Sequence, residues 1–213
     1  MRFSLLVGCF VLCVAAAQAE GELDNILTQM APEHGIQRLF YDLDAGPLPG
    51  FAGIYYDWRS KTYVLAVVPN RANGLLRYVD GESEELRVGT ELQLPERVRR
   101  RIVETVEAAG FYRPNPRYRV AIARYSFKQL WDWGSLYQYT WRTGAPSVNE
   151  KANKLHFYYY PDSYPERDPA VEARILERAL KLGIPRDAIW ITAEAMPEPA
   201  SGSIQCRKED GEP

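Results

Sequence analysis

An α/β (α+β) architecture, a mixed β-sheet with helices packed on it, follows from three features of the sequence. Two segments, 95–124 and 169–193, share one plan: a helix opened by proline, a glycine stop, a short link and a strand. Ahead of both, Phe51–Asp57 and Thr62–Val68 are β-rich runs joined by Trp58-Arg59-Ser60-Lys61, the spacing of an opening hairpin. Helices that alternate with strands bury their apolar stripes on a sheet, and a hairpin feeding that sheet makes its pairing mixed.

The elements follow in order. Residues 22–31 carry Leu23, Ile26, Leu27 and Met30 at helical spacing, and Pro32 limits that helix. Gly46-Pro47-Leu48-Pro49-Gly50 is a loop before the hairpin. A polar region spans Asn70–Gly74 and Asp80–Glu85, with short β-prone stretches at Leu75–Val79 and Glu85–Val88. Pro95 opens a helix whose stripe is Val98, Ile102, Val103, Val106 and Ala109, and Gly110 ends it. Its basic run, Arg97, Arg99, Arg100 and Arg101, reads as a solvated face supported by Glu96 and Glu104 four residues from Arg100.

Arg117–Arg124 alternates as a strand, with Val120 and Ile122 on one side and Ala121 and Ala123 on the other. Ser126 is placed to cap a helix carrying Phe127, Leu130 and Trp131. Gly134 interrupts that pattern, and Tyr137, Tyr139 and Trp141 then alternate with polar residues, so 135–142 reads as helix or strand. Asn153–Tyr160 is a strand by composition. Asp168-Pro169 is an N-cap followed by a first-turn proline; Val171, Ile175, Ala179 and Leu182 form the stripe and Gly183 the stop. Ala188–Ala193 closes the sheet.

The start of the chain reads as an export signal. Met1-Arg2 precedes an uncharged apolar run to Ala16, and Ala17-Gln18-Ala19 offers small residues to a signal peptidase. The run is shorter than the roughly 20 residues that span a bilayer. Residues 1–19 are therefore expected to be a signal peptide cleaved after Ala19, 20–195 a single periplasmic or secreted bacterial domain without a transmembrane segment, and 196–213 a disordered tail of Pro, Gly, Ser and charge. Cleavage leaves 25 basic and 28 acidic residues, a net charge of −3, which gives no reason to expect a nucleic-acid partner. It also removes Cys9 and Cys13; with Cys206 alone no internal disulfide forms, which fits a bacterial periplasm.

Three blocks resemble the pro-domains of α-lytic-type bacterial serine proteases, in that family's order over about 51–160. Phe51-Ala52-Gly53-Ile54-Tyr55-Tyr56-Asp57 with Tyr63-Val64-Leu65-Ala66-Val67-Val68 looks like their opening hairpin. Tyr125-Ser126-Phe127-Lys128-Gln129-Leu130 is similar to their Tyr-Ser-x-x-x-Leu helix start, and Asn153-Lys154-Leu155-His156-Phe157-Tyr158 to their Asn-Arg/Lys-hydrophobic strand. The resemblance implies a stand-alone module, without a protease domain, that binds a protein strand to strand as chaperone or inhibitor. A second likeness, Ala179-Leu180-x-x-Gly183-Ile184-Pro185-x-x-x-Ile189, is to the close of the OmpA-like peptidoglycan-binding helix. There the family's ligand-binding arginine would fall at Val171.

No metal spacing, nucleophile elbow or phosphate-cradling glycine loop is present, so neither catalytic residues nor a cofactor are assigned. The histidines are His34 and His156, and the carboxylate pairs Asp42/Asp44 and Asp162/Glu166 are of a kind common by chance. The chain's excess is aromatic, with 14 Tyr and 5 Trp. Too many rings crowd 131–141 and 158–160 for one element to bury them all in one direction, which predicts either a ligand groove or a sheet covered on both faces. Trp58, at a hairpin turn, is hard to bury. The candidate ligand-binding residues are Trp58, Trp133, Tyr137, Tyr139, His156, Tyr158 and Tyr160. The reading is a non-enzymatic binding module for a protein or peptide; a cell-wall glycan binder and a periplasmic hydrolase are the alternatives.

Overall fold

The structure is a computed structural model that describes residues 25, 27–79, 87–111, 116–161 and 167–194. The export signal, the C-terminal tail, all three cysteines and the Asp162/Glu166 pair lie outside these residues. So do residues 80–86, with the acidic stretch and the start of the β-prone Glu85–Val88. No helix among the described residues is long and apolar enough to cross a membrane.

The fold is α+β, and the same unit occurs twice. Helix α1 (Gly35–Ala45), strands β1 (Phe51–Asp57) and β2 (Thr62–Val67), helix α2 (Glu96–Ala108) and strand β3 (Tyr118–Ile122) make the first repeat. Helix α3 (Phe127–Trp141), strands β4 (Ser147–Asn149) and β5 (Lys154–Tyr159), helix α4 (Pro169–Lys181) and strand β6 (Ile189–Ala193) make the second. Each repeat folds into its own three-stranded mixed sheet, in strand order β1-β2-β3 and β4-β5-β6. The first two strands of each pair antiparallel and the last two parallel, over five residue pairs in both cases. The mixed pairing expected of one sheet is thus divided between two.

Local details repeat as well. Both hairpin turns end on a residue in the left-handed region, Lys61 at φ 51° and Asn153 at φ 53°. The residue closing the first strand caps each turn: Asp57 accepts from the Arg59 N–H (3.1 Å) and Asn149 from the Ala152 N–H (2.8 Å). In the helices, Val98, Arg101, Ile102, Glu104 and Gly110 recur 73 positions later as Val171, Arg174, Ile175, Glu177 and Gly183.

Caps follow the sequence. Ser126 accepts from the Gln129 N–H, and Asp168 from those of Ala170 and Val171. Pro95 is the N-cap of α2, one position earlier than a first-turn proline. Two expectations change. The β-prone Leu75–Val79 is a 3₁₀ turn at Leu76–Tyr78, because the Leu75 N–H is taken by Asn73 Oδ1 (3.0 Å) and not by a strand. The undecided 135–142 segment is helix as far as Trp141. Gly134 does not break it: a Cβ there would lie 3.3 Å from both Leu155 Cδ2 and Pro146 Cγ, so the glycine lets α3 approach β5.

Each sheet has its own core. In the first, Phe51, Ile54, Leu65, Val67, Val120 and Ile122 face α1, α2 and Phe127; a bulge between Phe51 and Gly53 puts Phe51 and Ile54 on one side. In the second, Leu155, Phe157 and Ile189 pack with Leu130, Tyr137, Ala179 and Ile184. Helix α3 spans both, with Phe127 in the first core and Leu130 and Tyr137 in the second.

The repeats also meet at Gly53, where a Cβ would sit 2.5 Å from Glu150 Cγ. Burial pushes the Glu150 carboxyl above the ordinary glutamate range. The unfolded chain releases this proton near pH 4.3, more readily than the folded one, so stability falls as pH rises from there through the raised pKa. Glu150→Gln is expected to raise the melting temperature at pH 7 and to leave it unchanged below about pH 4. A parallel pH–stability curve for variant and parent would show that the carboxyl is solvated.

Candidate functional site

The two sheets differ on the faces turned away from their cores. In the first sheet, the parallel pairs Val64↔Arg119 and Ala66↔Ala121 occupy that face, and Val64, Ala66 and Ala121 are buried. The corresponding pairs of the second sheet are His156↔Trp190 and Tyr158↔Thr192, and this face is open. Tyr158 is 45%, Tyr160 43% and Trp190 40% exposed. A position that serves packing in one repeat carries exposed rings in the other.

The rings form one continuous row. His156 stacks on Trp190 at 4.5 Å between centroids and 22° between planes. Tyr158 stands edge-on to His156 at 6.0 Å, and Tyr160 to Tyr158 at 6.3 Å. His156 Nε2 and Thr192 Oγ1 are 2.6 Å apart, which fixes the imidazole plane across the two strands. The partner is a hydroxyl, so the geometry offers no histidine–carboxylate dyad. On its outer side β6 has no strand partner among the described residues.

Three of the seven sequence-predicted residues, His156, Tyr158 and Tyr160, therefore share this face. The other four go elsewhere. Trp58 is 82% exposed at the first hairpin turn, edge-on to Tyr56 at 4.6 Å. Tyr139 is exposed on α3. Trp133 is half-buried against Tyr125 (5.3 Å), and Tyr137 is buried in the second core against Phe157 (4.8 Å). The helix separates what the period-two reading put together, since residues 137, 139 and 141 point in different directions on α3. Trp190 was missed: it is a lone aromatic in a short strand, and only the parallel register beside His156 brings it into the row.

Asp44 and Asp132 line one pocket of about 420 Å³ with Ser126, Lys128 and Trp133, but each carboxylate already has partners. Asp44 is buried and accepts from the N–H groups of Gly50 (2.7 Å) and Lys128 (2.8 Å), whereas Asp42 is exposed and paired with Arg38. Asp132 is half-buried; burial pushes its carboxyl up, partly offset by Lys128 and by the Tyr41 hydroxyl, which donates to it at 3.3 Å. Tyr125 donates to Asp187 at 2.8 Å, and burial with this bond pushes the phenol up to about 12. Arg124 pairs with the same carboxylate. These groups tie the β3–α3 link to the second repeat. Among the described residues no group of three or more metal-ligating side chains could hold an ion.

Fold and face together define a tandem αββαβ protein with an aromatic surface on its second sheet. No protein-family model, curated protein or solved structure matches the chain.

Proposed function

We propose that the chain is an exported, non-enzymatic binding module that takes an extended segment of a protein partner on the open face and free edge of its second sheet. The observation that carries this reading is the row Trp190–His156–Tyr158–Tyr160, open where the first repeat carries buried Val64 and Ala66 and the Arg119–Asp57 ion pair. Flat rings give contact area at little entropic cost, and an unpaired strand beside them offers backbone donors and acceptors to an added strand. The resemblance to protease pro-domains supports a protein partner. A glycan would be held by carboxamides converging on the rings; on this face Asn149 Oδ1 is already spent on the Ala152 N–H.

The test is capture by the immobilised chain, with Cys206→Ser to prevent thiol-linked pairing, from soluble exported proteins and from purified peptidoglycan of the source cells. One stoichiometric protein is expected in the first arm, its activity falling if it is a protease. Trp190→Ala and Tyr158→Ala are each expected to weaken its capture about 30-fold, as truncated anchor residues do. The melting temperature should stay within about 3 °C, because neither ring belongs to a buried core cluster. Retention on peptidoglycan alone would replace this reading with cell-wall binding. Capture indifferent to both substitutions would remove the face from it.

A further inference from the structure

The arginines of α2 sort into two pairs. Arg99 and Arg100 lie on the outer side with Glu96, which pairs with both. Arg97 and Arg101 instead border a pocket of about 540 Å³ between α2, the Pro47–Pro49 loop and the 71–77 segment. Arg71 and Arg77 line the opposite side, and Arg77 is steadied over the Tyr78 ring at 4.9 Å. All four are exposed side chains; among the described residues none of their guanidiniums is in an ion pair and no carboxylate lines the pocket. Its floor is apolar, from Leu48, Leu75, Val98 and Ile102.

The pocket wall is built rather than loose. Asn73 Nδ2 donates to the carbonyls of Pro49 (2.7 Å) and Val68 (2.8 Å), and its Oδ1 accepts from the N–H groups of Asn70 and Leu75. The second repeat carries the counterpart. A pocket of about 360 Å³ lies between α4 and the loop after α3, where Arg174 and Ile175 occupy the positions of Arg101 and Ile102. Arg178 joins Arg174 there, and again no carboxylate among the described residues lines the space.

We propose that these are duplicated anion sites, and that the first takes a compact ligand carrying two or more phosphoryl groups. Four guanidiniums around one space repel one another unless an anion lies between them. Their planar forks match phosphoryl oxygens two at a time, and the apolar floor fits the body that bears those groups. The second site, with two arginines, binds the same chemistry more weakly. The first site is independent of the sheet-face reading, since its pocket shares no residue with that face; the second pocket borders it at Tyr158.

The probe is inorganic pyrophosphate, titrated calorimetrically into the whole chain, with citrate as the carboxylate comparison. Saturable binding with two sites of unequal affinity is expected, and citrate should bind at least tenfold more weakly. Arg97→Gln with Arg101→Gln should weaken the tighter site about 100-fold, roughly tenfold per charge-assisted contact. Arg99→Gln with Arg100→Gln removes the same charge from the same helix and should change it less than about threefold, since exposed charges outside the site are screened. Arg174→Gln should remove the weaker site alone. Glutamine is a good helix former, so both double variants keep α2. No saturable binding, or equal losses in the two double variants, would overturn the proposal; a single site would overturn the duplication, and citrate binding as tight as pyrophosphate would overturn the phosphoryl assignment.

Discussion

Asn153→Ala is expected to destabilise the fold by about 3–5 kcal/mol, lowering the melting temperature by roughly 10 °C or more. Asn153 is 2% exposed and closes the second hairpin turn at φ 53°. Its Oδ1 accepts from the N–H groups of Arg124 (2.7 Å) and Tyr125 (2.8 Å), and its Nδ2 donates to the Tyr125 carbonyl (2.7 Å). One side chain thus satisfies three backbone groups of the link between β3 and α3, where the repeats join. Alanine leaves them without partners, at about 1–3 kcal/mol for each of the two buried groups, both on Tyr125, and gives up asparagine's tolerance of the left-handed region. Asn153→Gly loses the same bonds without that strain and should be about 1 kcal/mol less damaging. Denaturant unfolding of both variants checks the two parts. A loss below about 1 kcal/mol for the alanine variant would mean that the link holds its course without Asn153.

The sequence reads Asn153 as the first residue of a strand; it does not show that its partners lie 28 and 29 residues earlier. That difference runs through the molecule. The elements read correctly are those with local causes: Ser126 and Asp168 as caps, Gly110 and Gly183 as stops, and the hairpin from its spacing. Val120 and Ile122 fall on one side of β3, and Ala121, paired with Ala66, and Ala123 on the other, as alternation requires. The misread or undecided segments are those where a distant neighbour decides. Gly134 is a helix breaker by propensity, yet it is needed where Leu155 and Pro146 press on α3. Asp44 resembles half of an acid pair, yet it caps the N-terminus of α3 from the end of α1.

The site divides along the same line. His156, Tyr158 and Tyr160 were legible because alternation along one strand puts them on one face. Trp190 was not, because a parallel register between strands some thirty residues apart leaves no local mark. The arginines of 97–101 read as one solvated run, and all four are exposed; that Arg97 and Arg101 also border a pocket follows from the folding of Arg71 and Arg77 opposite them. The duplication itself has a sequence signal, the Val-x-x-Arg-Ile-x-Glu pattern of 98–104 and 171–177, but the shared helix–glycine–strand plan reveals only the last two elements of each five-element repeat.

Gly50→Ala is expected to be as damaging as the loss of Asn153, again about 3–5 kcal/mol. Gly50 has φ 87°, and a Cβ there would lie 2.6 Å from the Val68 carbonyl oxygen and 2.6 Å from Asn70 Nδ2. The first of these is backbone held in the sheet: the Val68 N–H donates to the Gly50 carbonyl at 2.7 Å. The Gly50 N–H in turn donates to Asp44, and Asn73 bonds the carbonyls on either side. No member of this knot can yield without releasing another. Gly74→Ala separates the two causes, because Gly74 also has a positive φ, 68°, but nothing within 4 Å of the added Cβ. It should cost only the backbone strain, about 1–2 kcal/mol. If both alanine variants lose equally little by denaturant unfolding, the knot gives way and the wall of the arginine pocket is soft; if Gly50→Ala loses at least about 2 kcal/mol more, that wall is rigid in the absence of any ligand.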